Sequence, residues 1–247
     1  MSARPTRAMV LAAGLGTRMR GVSETIPKPL VTVAGKPLIA HALESLERAG
    51  VANVVVNTHH MAAQIEAFLD TRATRPGAPR IRISREKERL ETGGGVRQAL
   101  PWLGDGAFFV VNSDVVLAEN GAAALPRLAE AWDGETMDAL LLLCPLKRAL
   151  GYGGAGDFFR HDDGRLSRRG KAQAAPFVFT GTQLLHPRLF ADAPAGAYSL
   201  NRHYDEAFFA GRLFGLEHDG HMLHVGSPAG LEAAERYLGG DRCREGG

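Results

Sequence analysis

An apolar stretch, Met9-Val10-Leu11-Ala12-Ala13, runs into Gly14-Leu15-Gly16-Thr17-Arg18-Met19, and Pro27-Lys28-Pro29-Leu30 follows. These residue types suit the holding of a polyphosphate. Glycine has no Cβ and tolerates φ > 0, so backbone N–H groups can approach a ligand closely. Successive N–H groups in such a turn make a concave nest for anions, and Arg18 and Lys28 add two cations beside it. The string lacks the third glycine of a dinucleotide fingerprint and the Gly-Lys-Ser/Thr of an ATPase phosphate loop. On the glycines alone, a strand-to-loop turn with solvated basic residues reads equally well.

Other residues capable of chemistry stand at the ends of apolar runs. Leu90-Glu91-Thr92-Gly93-Gly94-Gly95-Val96 follows Glu86 at a short distance, and on its own reads as a flexible loop before a helix from Val96 to Leu100. Phe108-Phe109-Val110-Val111 ends in Asn112-Ser113-Asp114. An aspartate there reads as a turn or helix cap unless a cation needs it. Pro176 to Phe179 ends in Thr180-Gly181, and a late run places His221 and His224 before Val225-Gly226-Ser227-Pro228. The glycines of Gly151 to Asp157 precede no helix-forming run, so they suit a mobile lid or a sugar-side loop better than a second phosphate loop.

The elements that must position these residues alternate in type. Ala8 to Ala12, Val51 to Asn57 and Arg80 to Ser84 have strand patterns; Pro37 to Ala49 and Met61 to Leu69 have helical ones. Pro37 sits at a first turn and Gly50 stops the helix. Strand-helix alternation predicts right-handed crossovers and a mainly parallel sheet, whose ligands bind at the carboxyl ends of the strands. Ala122 to Ala131, Leu200 to Ala210 and Ala229 to Leu238 add helices, Asp138 to Cys144 adds a strand, and Phe158 to Arg169 forms a hairpin around Asp162-Asp163-Gly164.

The 247 residues allow one large α/β domain, taken as 1–240, with 241–247 as a disordered tail. A net charge of +2 with scattered Lys and Arg argues against nucleic acid as the partner. Nine histidines and two cysteines, Cys144 and Cys243, fall in neither a zinc spacing nor a disulfide framework. No run approaches the roughly 20 apolar residues of a membrane span, and no signal peptide is visible. A cytoplasmic location is expected.

Taken together, Leu-Ala-Ala-Gly-x-Gly-Thr-Arg-Met and the later Pro-Lys-Pro-Leu resemble the N-terminal motif of the sugar-1-phosphate nucleotidyltransferases, and the likeness spans nearly the whole chain. It implies a Rossmann-like, mainly parallel sheet flanked by helices, with a small sugar-side β lobe from Gly151 to Asp192. It implies that an NTP and a sugar 1-phosphate give an NDP-sugar and pyrophosphate. Leu11, Ala12, Ala13, Gly14, Gly16, Thr17 and Arg18 would then hold the nucleotide, with Glu86, Thr92 and Gly93 along its base and ribose. Arg18, Lys28 and Asp114 would be catalytic, Asp114 would ligate Mg²⁺, and Asn112, Thr180, Gly181 and Asn201 would face the sugar.

One motif departs from the family. Gly220 to Pro228 is similar to its Trp-x-Asp-x-Gly-Thr-Pro, whose aspartate is the second Mg²⁺ ligand, and His224 stands in that place. Imidazole is a poor ligand for so hard an ion. Four readings stay open: Asp114 and the phosphates hold the metal with extra water, Asp219 helps, His224 merely packs at a strand end, or the site is degenerate. The last would make the chain a non-catalytic nucleotide- or sugar-binding or regulatory protein. The segments around Lys28 and Gly93 are most similar to members that join UTP to N-acetylmuramate 1-phosphate in cell-wall recycling. Mannose-1-phosphate guanylyltransferases share much of the pattern, and a phosphocholine-type acceptor is a more distant fit.

Overall fold

The computed structural model describes residues 4–19 and 25–241. In chain order they form β1 (Arg7–Leu11), β2 (Thr32–Val33), β3 (Lys36–Pro37), α1 (Leu38–Arg48), β4 (Asn53–Thr58), α2 (Ala62–Ala73), β5 (Arg80–Arg85) and α3 (Glu91–Leu103). There follow β6 (Phe108–Asn112), β7 (Val115–Ala118), α4 (Ala124–Ala131), β8 (Ala139–Pro145), β9 (Ala149–Leu150), β10 (Phe158–Arg160), β11 (Leu166–Arg168) and β12 (Phe177–Leu185). The last elements are α5 (Asn201–Phe209), β13 (Leu213–Glu217), β14 (His221–His224) and α6 (Pro228–Asp241).

A nine-stranded sheet carries the fold. Its parallel half runs β5-β4-β1-β6, and β12 then pairs antiparallel with β6. The other edge of β12 takes β8, which pairs parallel with β13. Strand side chains alternate between faces, so Ala8 and Val10 pack with Ile39, Leu43 and Leu125 on one side, while Met9 packs with Val96, Leu103 and Tyr204 on the other. Helices α1, α2 and α4 therefore cover one face and α3 and α5 the second. Full burial of side chains such as Phe108 and Phe109 stabilises this sandwich by about 1.5–3 kcal/mol each.

A second sheet, β7-β14-β9, stands apart and buries Val116, Leu223 and Val225 against Met19, Val31 and Leu38. The hairpin expected over Phe158 to Arg169 is present as β10 and β11, but it joins the main sheet through the pairing of Phe158 with Phe177. The β lobe expected from Gly151 to Asp192 is thus continuous with the central sheet. The strand expected to stop at Thr180-Gly181 runs on to Leu185 through a bulge. Helix α6 continues three residues beyond Leu238, and the rest of the expected tail, with Cys243, lies outside the described residues.

The largest correction concerns the three glycines, which are the first turns of α3 rather than a loop before it. Glycine is normally destabilising inside a helix. Here the segment around Tyr198 lies against the helix, and Tyr198 O accepts from the Gly93 and Gly94 N–H groups at 2.8 and 3.2 Å. A Cβ on Gly93 would fall 2.3 Å from the Tyr198 ring, and one on Gly94 would fall 2.3 Å from Gly196 O. Close approach of the Tyr198 ring and the Gly196 backbone explains these two residues.

Gly94→Ala is accordingly expected to lower stability by about 1–3 kcal/mol, the usual cost of overpacking. Gly153→Ala, whose Cβ would enter open space, should change it by less than about 0.5 kcal/mol. Denaturant titration of the two variants checks the contrast.

Candidate active site

The chain reverses its direction of travel across the sheet between β1 and β6, and open α/β sheets bind ligands outside the carboxyl ends of the strands at such a point. Parallel register sets Asn57 of β4 and Asn112 of β6 on either side of Leu11, the last residue of β1. A cleft of about 400 Å³ opens above this row. The glycine loop after β1, the Lys28-Pro29 turn, the residues after β5 and the start of α3 form its walls.

Most of the residues singled out from the sequence meet here. Leu11, Ala13, Gly14, Gly16, Thr17, Arg18, Lys28, Glu86, Thr92, Asn112 and Asp114 all line the cleft. Gly16 has φ +64°, so the loop needs a left-handed residue there, and Met19 N–H donates to its carbonyl at 2.8 Å. Gly14 differs, because a Cβ on it would have no atom of the described residues within 4 Å. Among the described residues nothing asks for glycine at that position, which leaves the loop backbone open to the cleft.

Lys28 is delivered by a short turn that Pro27 leads in extended conformation. Its Nζ donates to Asp114 Oδ2 at 2.6 Å, with the two side chains 12% and 25% exposed. Asp114 follows β6, and Ser113 beside it donates its hydroxyl to Leu11 O at 2.7 Å. A cation and a carboxylate therefore share one wall, close enough for an incoming anion or metal ion to take either partner.

Other expected residues lie elsewhere. Ala12 is buried, and its N–H donates to Asn57 Oδ1 at 2.7 Å rather than to the cleft. Gly93 packs on Tyr198, as above. Thr180 is fully buried and donates its hydroxyl to Leu142 O at 3.0 Å, stitching the bulge of β12. Gly181, at φ +77°, makes room for the Asn112 side chain, which a Cβ would meet at 2.5 Å. Asn201 Oδ1 accepts from Arg168 at 3.2 Å. None of these five lines the cleft; Thr180, Gly181 and Asn201 shape its surroundings through Asn112, the sheet and α5.

His224 reaches the site through the second sheet. It pairs with Val115 in antiparallel register, and Val225 N–H donates to Asp114 O at 2.9 Å. Burial holds its imidazole below the usual range, opposed by nearby Asp114 and by the bond to Gly151 O, and helped by Lys28 and Arg18. Gly151 O can only accept, so Nδ1 at 3.3 Å carries the proton. The ring edge with Nε2 then rests over Gly226, a cleft residue. Asp219 is engaged elsewhere, with Arg127. Among the described residues no three His, Cys, Asp or Glu side chains are placed to hold a metal.

Sequence reasoning missed Asn57, Arg89, Glu91 and Ser199 as cleft residues. Asn57 carried a usable signal: a polar residue closing a β-branched run, at the carboxyl end of the strand beside β1. Ser199 carried none, since only the tertiary approach of its segment to α3 brings it there.

Comparison with known proteins places the chain in context. Residues 8–242 match the model of the MobA-like NTP transferase domain. The chain is 44% identical over 239 residues to the N-acetylmuramate alpha-1-phosphate uridylyltransferase of Caulobacter vibrioides, covering 96% of this chain and 99% of that one. It is 33% identical over 237 residues to the protein of the same name from Neisseria meningitidis serogroup B, covering 94% and 98%. A solved UDP-glucose pyrophosphorylase complexed with UDP-glucose superposes with a TM-score of 0.77 at 17% identity, covering 95% and 98%. That likeness is one of fold.

The two loop glycines should separate cleanly. Gly14→Ala is expected to leave the melting temperature unchanged while weakening NTP binding, read by calorimetry. Gly16→Ala forces a side chain into a left-handed backbone and should cost about 1 kcal/mol or more of stability as well.

Proposed function

The chain belongs to the family of MobA-like NTP transferase domains, and on that premise we propose that it joins UTP to N-acetylmuramate 1-phosphate, releasing pyrophosphate. The observation that carries this reading is the meeting of the glycine loop, Arg18 and the Lys28–Asp114 pair in one cleft at the carboxyl ends of β1 and β6. The near-full-length likeness to uridylyltransferases of that specificity supports the choice of base and sugar. A role in cell-wall recycling and a cytoplasmic setting follow from that substrate pair.

An oxygen of the acceptor phosphate is already a nucleophile, so the reaction needs no Ser-His-Asp apparatus. It attacks the α-phosphorus of the NTP, and the bond to the β-phosphate oxygen breaks as pyrophosphate leaves. The protein's task is to hold two anions in line and to offset charge as it builds. Backbone N–H groups of the Gly14 to Thr17 loop bind the triphosphate, and Arg18 offsets the leaving pyrophosphate. Lys28 lies between the α-phosphate and the acceptor phosphate, drawn from Asp114 by the stronger anion.

Mg²⁺ takes oxygen ligands and binds through one or two carboxylates plus phosphates. Of the cleft carboxylates Glu86, Glu91 and Asp114, it is Asp114 that stands beside Lys28 at the end of β6, and it would fit an ion that arrives with the nucleotide and keeps several waters. When bound, that ion supplies charge neutralisation at the non-bridging phosphate oxygens. Neutral His224 stands at the edge of this position, which also keeps a second reading in view: a nucleotide-binding protein without turnover.

Pyrophosphate release with Mg²⁺, measured across UTP, GTP, CTP, dTTP and ATP against five acceptors, tests the reading. The acceptors are the 1-phosphates of N-acetylmuramate, N-acetylglucosamine, mannose and glucose, and phosphocholine. UTP with N-acetylmuramate 1-phosphate should give the highest rate; a brighter GTP and mannose 1-phosphate pair would reassign the substrate. No release from any pair, with nucleotide still bound, would favour the second reading. Lys28→Ala and Asp114→Asn should each cut kcat by about 10²–10³-fold, the scale of a lost oxyanion donor, with the fold intact by circular dichroism. His224→Asp should tighten Mg²⁺ binding, and a large gain in rate with it would mark the natural site as degenerate.

A further inference from the structure

Glu86 lines the cleft, yet it is only 5% exposed and both its carboxylate oxygens are taken within the protein. Oε1 accepts from Asn57 Nδ2 at 2.7 Å, and Oε2 accepts from the Leu90 N–H at 3.0 Å. Asn57 is 2% exposed and accepts from the Ala12 N–H through Oδ1 at 2.7 Å. A backbone N–H can only donate, so the atom of Asn57 that faces Ala12 is the oxygen, and the amide nitrogen is left for Glu86. The chain of donors and acceptors thus has one direction, from Leu90 and Asn57 into Glu86, and from Ala12 into Asn57.

This chain joins three parts of the cleft wall: the start of the glycine loop, the end of β4 and the entry to α3. It is packed to the limit. A Cβ on Gly95 would sit 2.8 Å from Glu86 Oε1 and 3.0 Å from Asn57 Nδ2, so the third glycine of α3 is the space the pair occupies. The Glu86 carbonyl also faces His59 Nδ1 at 3.0 Å, and its N–H donates to Thr58 O at 2.9 Å. A buried carboxylate held by three elements is a structural pin, since leaving any of these groups unpaired costs its full desolvation.

We propose that Asn57 and Glu86 are positioning residues for the nucleotide. Their hydrogen-bond chain fixes the first residue of the phosphate-binding loop against α3, and Glu86 acts through Asn57 rather than by presenting its charge to the base. The inference rests on the nucleotidyl-transfer reading of the cleft.

The test is an amide–carboxylate exchange. Asn57→Asp alone opposes two carboxylates where a 2.7 Å hydrogen bond now runs. Glu86→Gln alone turns an amide NH₂ toward one of two donors, Asn57 Nδ2 or the Leu90 N–H. The double variant restores every link: the new aspartate accepts from Ala12 and from the new glutamine, whose oxygen accepts from Leu90. Each single variant should lower the melting temperature and weaken UTP affinity by about 10–100-fold, with KM for the sugar phosphate unchanged. The double variant should regain most of both losses.

A double variant that loses the product of the two singles would overturn the inference. So would one that regains its melting temperature but not its UTP affinity, because the Glu86 charge would then act on the nucleotide itself. If the unsubstituted protein binds no NTP, the functional reading fails; the melting-temperature cycle, which needs no nucleotide, still reports separately on the hydrogen-bond chain.

Discussion

The parallel pairing of β1 between β4 and β6 is the constraint on which the rest of this molecule depends. Because register matches Leu11 with Asn57 on one side and Asn112 on the other, three strand ends stop at one level, and the loops that leave them must share one space. The glycine loop, Asp114 and the Asn57–Glu86 pair are neighbours for that reason alone, though Asp114 comes 100 positions after Gly14 in the chain. Hydrophobic burial on both faces of these strands makes the register costly to change, since a slip of one residue would turn Val10, Val56 and Val111 out of their layer.

The second sheet adds a constraint of another kind. It buries its own core against the Pro27 to Leu38 segment and so sets the distance between Lys28 and Asp114 from outside the main sheet. In the free protein the two neutralise one another, which avoids burying a lone charge. On the proposed function, an arriving polyphosphate would exchange one partner of Lys28 for a stronger one and would leave the Asp114 carboxylate to hold a metal ion.

Much of this was legible in the sequence. The alternating helices and strands, the loop after β1 and the aspartate after β6 are local patterns, and the family resemblance, rather than residue type alone, suggested their use. What stayed hidden was tertiary. The glycines of α3 read as a loop because glycine disfavours helix, and only the approach of Tyr198, Gly196 and the Glu86–Asn57 pair makes that preference irrelevant. The family resemblance set Thr180 toward a sugar, whereas a bulge carries β12 onward and turns its hydroxyl to Leu142. The nearness of His224 to Asp114 depends on strand pairing between residues over 100 apart, which no local pattern shows.

Glu86 shows why lining a cleft and acting in it are different properties. The family resemblance set it beside the base and ribose, and it does line the cleft. Yet a carboxylate with one oxygen on Asn57 and the other on Leu90 has its strongest acceptor directions spent. Withdrawing either to greet a ligand would strand a buried donor, a loss comparable to what one new hydrogen bond returns. Binding that left Glu86 where it is would be favoured over binding that moved it. The Ala12 N–H gives the same argument from the other end: it is spent on Asn57 Oδ1, which ties the start of the glycine loop to β4 and leaves the later N–H groups of the loop for any anion.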